Sequence, residues 1–89
     1  MKAIVTVVGK DSVGIIAEVC TQLASYNVNV LDISQTVMQG YFTMMMVVDV
    51  SASQVSFGEV AKALEQKGKE KGLSIRLQRA DIFEAMHRV

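Results

Sequence analysis

The sequence predicts an α+β sandwich: one four-stranded antiparallel sheet carrying two helices on a single face. Three observations lead there. Stretches of β-branched residues alternate with stretches whose apolar residues recur every three or four positions, in the order β-α-β-β-α-β. Each helical stretch links two strands as in a split βαβ unit, and right-handed crossovers put both helices on the same side. The chain has 89 residues, enough for one hydrophobic core and no second.

The first strand is read from Lys2 to Gly9, where Ile4, Val5, Val7 and Val8 make both faces apolar, as a central strand requires. The loop Gly9-Lys10-Asp11-Ser12-Val13-Gly14 then leaves backbone amides free at a helix start, a setting that suits a small anionic group. Asp11 or Ser12 is placed to cap helix one, which runs from about Val13 to Tyr26. Its apolar stripe is Val13, Ile16, Ala17, Cys20, Leu23 and Ala24, and Asn27 ends it. In strand two, Val28 to Met38, Leu31, Ile33 and Val37 share one face while Asp32, Ser34 and Thr36 share the other. That pattern predicts one covered face and one polar face.

Gln39-Gly40 makes a tight turn into strand three, Tyr41 to Val50, where the alternation fails. Phe42, Met44, Met46 and Val48 form one apolar face, and Tyr41, Met45 and Val47 make the other apolar as well. Ser51-Ala52-Ser53 breaks the pattern and offers a cap for helix two, from about Ser53 to Lys71, with Phe57, Val60, Ala61 and Leu64 as its stripe. Gly72 closes that helix. Strand four, Leu73 to Asp81, turns Leu73, Ile75 and Leu77 inward, and residues 82–89 suit two helical turns with Phe83 and Met86 on one side. The result is a ferredoxin-like βαββαβ sandwich, a single domain over residues 1–89 with its core at about 3–79 and a tail at 80–89.

Tyr41, Met45 and Val47 on the helix-free face would expose more apolar surface than a soluble monomer carries. With Phe83 and Met86 they form the expected interface of a homodimer or higher homo-oligomer, unless the tail folds back over the same patch.

Composition narrows function. Nine basic residues balance nine acidic ones, so no long-range field recruits nucleic acid or an acidic membrane. No apolar run reaches the length of a membrane span, and Met1-Lys2-Ala3-Ile4-Val5 enters a strand without a signal-cleavage region. Cys20 is the single cysteine, which excludes a disulfide framework within the chain and points to a reducing, cytoplasmic setting. Met38, Met44, Met45 and Met46 have no Cys or His beside them and read as packing residues rather than metal ligands. His87 is also alone. Neither a metal set, a cofactor motif nor a catalytic constellation emerges. An isomerase using Asp11 or His87 as base is the enzymatic alternative, and a non-enzyme is the expectation.

The element order, together with GKDSVGIIAEVCTQLASYNVNVLDISQ, resembles the ACT domain, a small-molecule-binding regulatory module of amino-acid metabolism. The resemblance runs from Ala3 to about Arg79. It is strongest to free-standing single-domain members of the UPF0237 type, which are similar to the N-terminal ACT unit of the glycine-cleavage regulator. The tail, from Asp81 to Arg88, also looks like the ending of those short proteins. Its motif pair is Asp11-x-x-Gly14 followed by Asn27-Val28-Asn29-Val30.

The resemblance implies that an effector, usually an amino acid, binds where the first loop meets strand two of a neighbouring subunit. Asp11 then meets the ligand's amino group, Gly14 lets helix one start close to the ligand, and Asn29 reaches it from the partner chain. Lys10, Ser12 and Val13 of the loop, and Val30 beside Asn29, complete the candidate ligand set. The sequence departs from the best-known pattern in having Asp11 where some members have Asn, and Ser12-Val13 where many have Arg-Pro. Each residue also has a purely structural reading: a cap for Asp11, close packing for Gly14, a turn for Asn29, and solvation for Asp32. The expected function is a non-catalytic regulatory module binding a small amino acid or related metabolite at a subunit interface. The alternative is a ligand-free interaction module docking on a metabolic enzyme or regulator through Tyr41, Met45, Phe83 and Met86.

Overall fold

Six elements follow one another in the expected order: β1 (Lys2–Lys10), α1 (Ile15–Ser25), β2 (Asn29–Met38), β3 (Tyr41–Asp49), α2 (Phe57–Lys71) and β4 (Ser74–Arg79). The computed structural model describes residues 1–10 and 14–80. The strands form one antiparallel sheet in the order β2-β3-β1-β4, which leaves β2 and β4 as edges. β1 lies inside the sheet, paired with β3 from Lys2↔Asp49 to Lys10↔Tyr41 and with β4 from Ala3↔Arg79 to Val8↔Ser74.

Strand periodicity decides which side chains meet the helices. Ala3, Val5 and Val7 of β1, Phe42, Met44, Met46 and Val48 of β3, and Ile75 and Leu77 of β4 are buried on one face, where Ile15, Val19 and Leu23 of α1 and Val60 and Leu64 of α2 meet them. Each such Leu, Ile or Val contributes roughly 1.5–3 kcal/mol by leaving water. On the opposite face Ile4 is buried outside that cluster, Met45 and Val47 are half-buried, and Tyr41 is exposed.

Helix one differs from the expectation in start and phase. It begins at Ile15 rather than Val13, after Gly14 at φ 82; no side chain among the described residues caps it, and the expected caps Asp11 and Ser12 lie outside them. Its buried stripe is Ile15, Val19 and Leu23; Ile16 and Cys20 are half-buried, and Ala17 and Ala24 are exposed. The doublets Ile15-Ile16 and Val19-Cys20 satisfy two apolar phases one residue apart. Entry through a left-handed glycine selects the one that points Ile15 at the sheet. Asn27, at φ 62, ends the helix by turning left-handed, and its Nδ2 donates to the Ala52 carbonyl at 3.1 Å.

Helix two also starts later than expected. Ser56 is its cap, with Oγ accepting from the Glu59 N–H at 3.2 Å, and Ser53 instead turns the preceding loop by donating to the Val55 carbonyl at 2.8 Å. Ser-x-x-Glu is the capping-box spacing, present in the sequence as Ser56 and Glu59. Gly72, at φ 70, terminates α2 as expected. Gln39 and Gly40, at φ 51 and 83, build a primed hairpin turn between β2 and β3.

Strand two carries the main correction. A bulge between Val30 and Asp32 drops Leu31 out of register, and every residue from Leu31 to Met38 is exposed. Leu31, Ile33 and Val37 retain 46%, 41% and 69% exposure, so the face read as covered is open. The register places Ile33 and Val37 opposite Met46 and Phe42, on the helix side, but this edge lies beyond the helix layer.

Asp49 gives a pH-dependent prediction. The Ser51 hydroxyl and backbone N–H donate to its carboxylate, and the Met1 ammonium lies 3.5 Å away; together they hold its pKa below 3.8. A carboxyl lowered on folding stabilises the protein above its unfolded pKa, and that contribution is lost as pH falls through the lower folded value. Asp49→Asn keeps the shape and removes the charge. Wild type is therefore expected to melt above the variant at neutral pH, with the gap closing below about pH 4. A gap that stays constant from neutral pH to about pH 3 would rule this out.

Candidate functional site

The residues that the sequence nominated for ligand binding fall at opposite ends of one protomer. Lys10 ends β1 opposite Tyr41, and Gly14 follows across the loop; Asp11, Ser12 and Val13 lie outside the described residues. Asn29 opens β2 opposite Asp49, with Val30 opposite Val48. From Tyr41 to Asp49 is eight residues along β3, so roughly 26 Å separates the two groups along the sheet. No single chain brings them together.

At the loop end, Gly14 starts α1 in the left-handed region, and a Cβ there would touch nothing among the described residues within 4 Å. Its glycine character is required by φ rather than by close packing. The Glu18 N–H closes the first helical turn on the Gly14 carbonyl at 3.0 Å, so the amides of Ile15, Ile16 and Ala17 precede the first intrahelical bond. These amides are the donors a carboxylate or similar anion would meet, and the positive end of the helix dipole lies with them.

Asn29 is exposed and Val30 half-buried. It is Asn27, not Asn29, that serves the local turn through its bond to Ala52. Asp32 accepts from the Ile33 N–H at 2.9 Å, which engages one donor of the exposed edge.

Along that edge lie residues absent from the expected interface: Leu31, Ile33, Val37 and Met38, the last also 69% exposed. Tyr41, 53% exposed, stands next to them across the hairpin, whereas Phe83 and Met86 of the expected interface lie outside the described residues. Periodicity alone hid this surface because an alternating strand looks the same at an edge as inside a sheet. The signal that finds it is the contrast between edges. β4 is six residues long and carries Arg76 and Arg79, the usual protection of an edge, while β2 is ten residues long with Asp32 as its one charge.

Cys20 is free and half-buried. Among the described residues no group of three or more His, Cys, Asp or Glu gathers as a metal site, and no helix is long and apolar enough to cross a membrane.

Comparison with known proteins agrees with this architecture. The ACT domain family profile matches residues 2–78. A UPF0237 protein of Bifidobacterium longum is 57% identical over 88 residues, covering 99% of this chain and 98% of that one. The solved structure of an ACT domain protein from Streptococcus pneumoniae superposes with a TM-score of 0.82 at 47% identity, covering 98% of both chains. A putative glycine cleavage system transcriptional repressor shares the fold with a TM-score of 0.73 at 22% identity, over 86% of this chain and 44% of that one. The chain belongs to the ACT domain family, with UPF0237 proteins as full-length relatives.

Proposed function

We propose that this chain is a non-catalytic regulatory module that pairs with a second copy along β2 and binds a small amino acid or related metabolite across the junction. One observation carries the reading: the two halves of the candidate site lie at opposite ends of a protomer whose β2 edge is long, apolar and exposed. Antiparallel pairing of β2 with its two-fold mate reverses the neighbouring strand. That reversal brings Asn29 of the partner subunit to the end where Lys10, the loop and the first amides of α1 lie. α1 lies on the β2 side of the sheet and α2 on the β4 side, and α1 starts at the end of the sheet where β1 finishes, near Lys10. The α-carboxylate would meet the amides of Ile15 to Ala17, and the partner's Asn29 supplies an amide for the ligand's remaining polar atoms. A ligand that touches both chains favours the paired state, which is the coupling a regulator needs.

The test is a thermal-shift screen of the twenty common amino acids and related metabolites at millimolar concentration. A ligand present at a hundredfold excess over its Kd adds about 2.7 kcal/mol, several degrees for a domain of this size. The shift is expected to disappear in Asn29→Ala while the unliganded melting point holds. A shift of unchanged size in Asn29→Ala removes the assignment, and no shift with any compound turns the reading to a docking module.

A further inference from the structure

The helix-free face of the sheet is unevenly exposed. Ile4, Thr6 and Val8 of β1 point to it in succession, and exposure rises from 8% at Ile4, through a half-buried Thr6, to 39% at Val8. All three have β3 on one side and β4 on the other, so the gradient does not come from their place in the sheet. Beside Ile4 and Thr6 on β3, Val47 and Met45 are half-buried too, whereas Tyr41 at the far end is exposed. Side chains on a sheet stand roughly perpendicular to it and screen one another's flanks. The outer end of a central isoleucine is closed to water only by something lying over it.

Elimination identifies the cover. Both helices pack on the other face. The connection from β3 to α2 turns to that face as well, where the Gln54 N–H donates to the Tyr26 carbonyl at 3.1 Å and Val55 joins the core. Met1 continues β1, its carbonyl accepting from the Val50 N–H at 2.9 Å, so its side chain also points to the helix side. The β2-β3 turn, the loop after Lys10 and the turn into β4 all lie at the Val8 end, where exposure is greatest. The segment after β4 starts at the covered end: Arg79 is opposite Ala3, one residue from Ile4, and Ala80 beyond it is half-buried. Its sequence suits the task, with Ile82, Phe83, Met86 and Val89 apolar at helical spacing and Asp81, Glu84, His87 and Arg88 between them. As a helix nine residues span about 13.5 Å, more than the roughly 10 Å from β4 across β1 to β3.

We propose that residues 81–89 dock on the helix-free face of their own chain, with Phe83 and Met86 seated on Ile4, Met45 and Val47. The face is then closed to a second copy and to other proteins, and the apolar residues that would otherwise call for face-to-face stacking are satisfied within one protomer. The β2 edge lies to the side and stays free, so this docking and pairing along β2 are independent.

NMR on the full chain, with the methyl groups of Ile, Leu, Val and Met labelled, tests this. Nuclear Overhauser contacts are expected from the Phe83 ring and the Met86 methyl to the methyls of Ile4, Met45 and Val47. In an equilibrated 1:1 mixture of labelled and unlabelled copies, the filtered spectrum that reports only contacts between copies is expected to lack them. Phe83→Ala is expected to shift the Ile4 and Met45 signals, to leave those of Val19 and Leu64 in the core unmoved, and to melt several degrees lower. The proposal is overturned if these contacts are missing from the uniformly labelled chain, if they appear in the filtered spectrum, or if Phe83→Ala leaves Ile4 and Met45 unmoved.

Discussion

Ile33→Lys is expected to sediment as a monomer at micromolar concentration where the wild type sediments as a dimer, and to lose the ligand-dependent melting shift. The argument begins with the ten-residue β2 edge, whose unpaired backbone donors and acceptors offer a template for another strand. Each cross-strand hydrogen bond that replaces two bonds to water contributes about 0.5–1.5 kcal/mol. The exposed side chains of Leu31, Ile33 and Val37 add the hydrophobic gain, roughly 1.5–3 kcal/mol for each one fully buried. Ile33 lies near the middle of β2, so in a two-fold pairing the two introduced ammonium groups approach each other while the apolar contact is lost. A lysine on an edge strand is also the commonest natural device against strand addition. The chain itself should stay folded, because Ile33 is outside the buried core. Its circular dichroism spectrum is therefore expected to match wild type, with a lower melting point that no longer depends on protomer concentration. A wild type that is monomeric at micromolar concentration, or a variant that still dimerises, would defeat the assignment of β2 as the pairing edge.

The order of elements was legible because each strand and helix carries its period in its own residues. Phe42, Met44, Met46 and Val48 announced the core face of β3, and Gly72 announced the end of α2. The misreadings share one cause, a local pattern compatible with two three-dimensional settings. Ile15-Ile16 and Val19-Cys20 fit two helical phases, and only the left-handed entry at Gly14 chooses between them. Leu31, Ile33 and Val37 alternate as a half-buried strand does, yet β2 lies at the rim of the sheet, where no helix reaches them. The site was legible in pieces. Lys10 to Gly14 can be nominated from a glycine-bracketed loop before a helix, and Asn29 from its resemblance. That the two pieces lie at opposite ends of the chain follows from strand register, which no window of sequence contains.

Gly68 provides the second large effect, and the helix that holds it provides the control. By propensity alone, Gly→Ala inside a helix should stabilise by about 0.5–1 kcal/mol. Gly58, in the first turn of α2, has open space where a Cβ would go, and Gly58→Ala is expected to raise stability by up to that amount. Gly68 is buried against the turn into β4. A Cβ there would lie 2.8 Å from the Leu73 carbonyl oxygen, 3.1 Å from Ile75 Cγ1 and 3.2 Å from the Ile75 N–H nitrogen. Two of those three atoms are backbone and cannot step aside as the end of a side chain can. The Leu73 N–H is bonded to the Gly68 carbonyl at 2.8 Å, so moving the turn also strains the helix terminus. Sterics therefore outweigh propensity: Gly68→Ala is expected to destabilise by about 1–2 kcal/mol and Gly68→Val by about 3 kcal/mol or more. In a domain of this size each kcal/mol is roughly 4–8 °C in Tm. Measured in the Ile33→Lys background, where pairing no longer contributes, the two glycines of one helix should respond to the same substitution with opposite sign. A stabilising Gly68→Ala would show that α2 and β4 can separate at no cost, and the close approach that fixes the C-terminal end of α2 on the sheet would have to be abandoned.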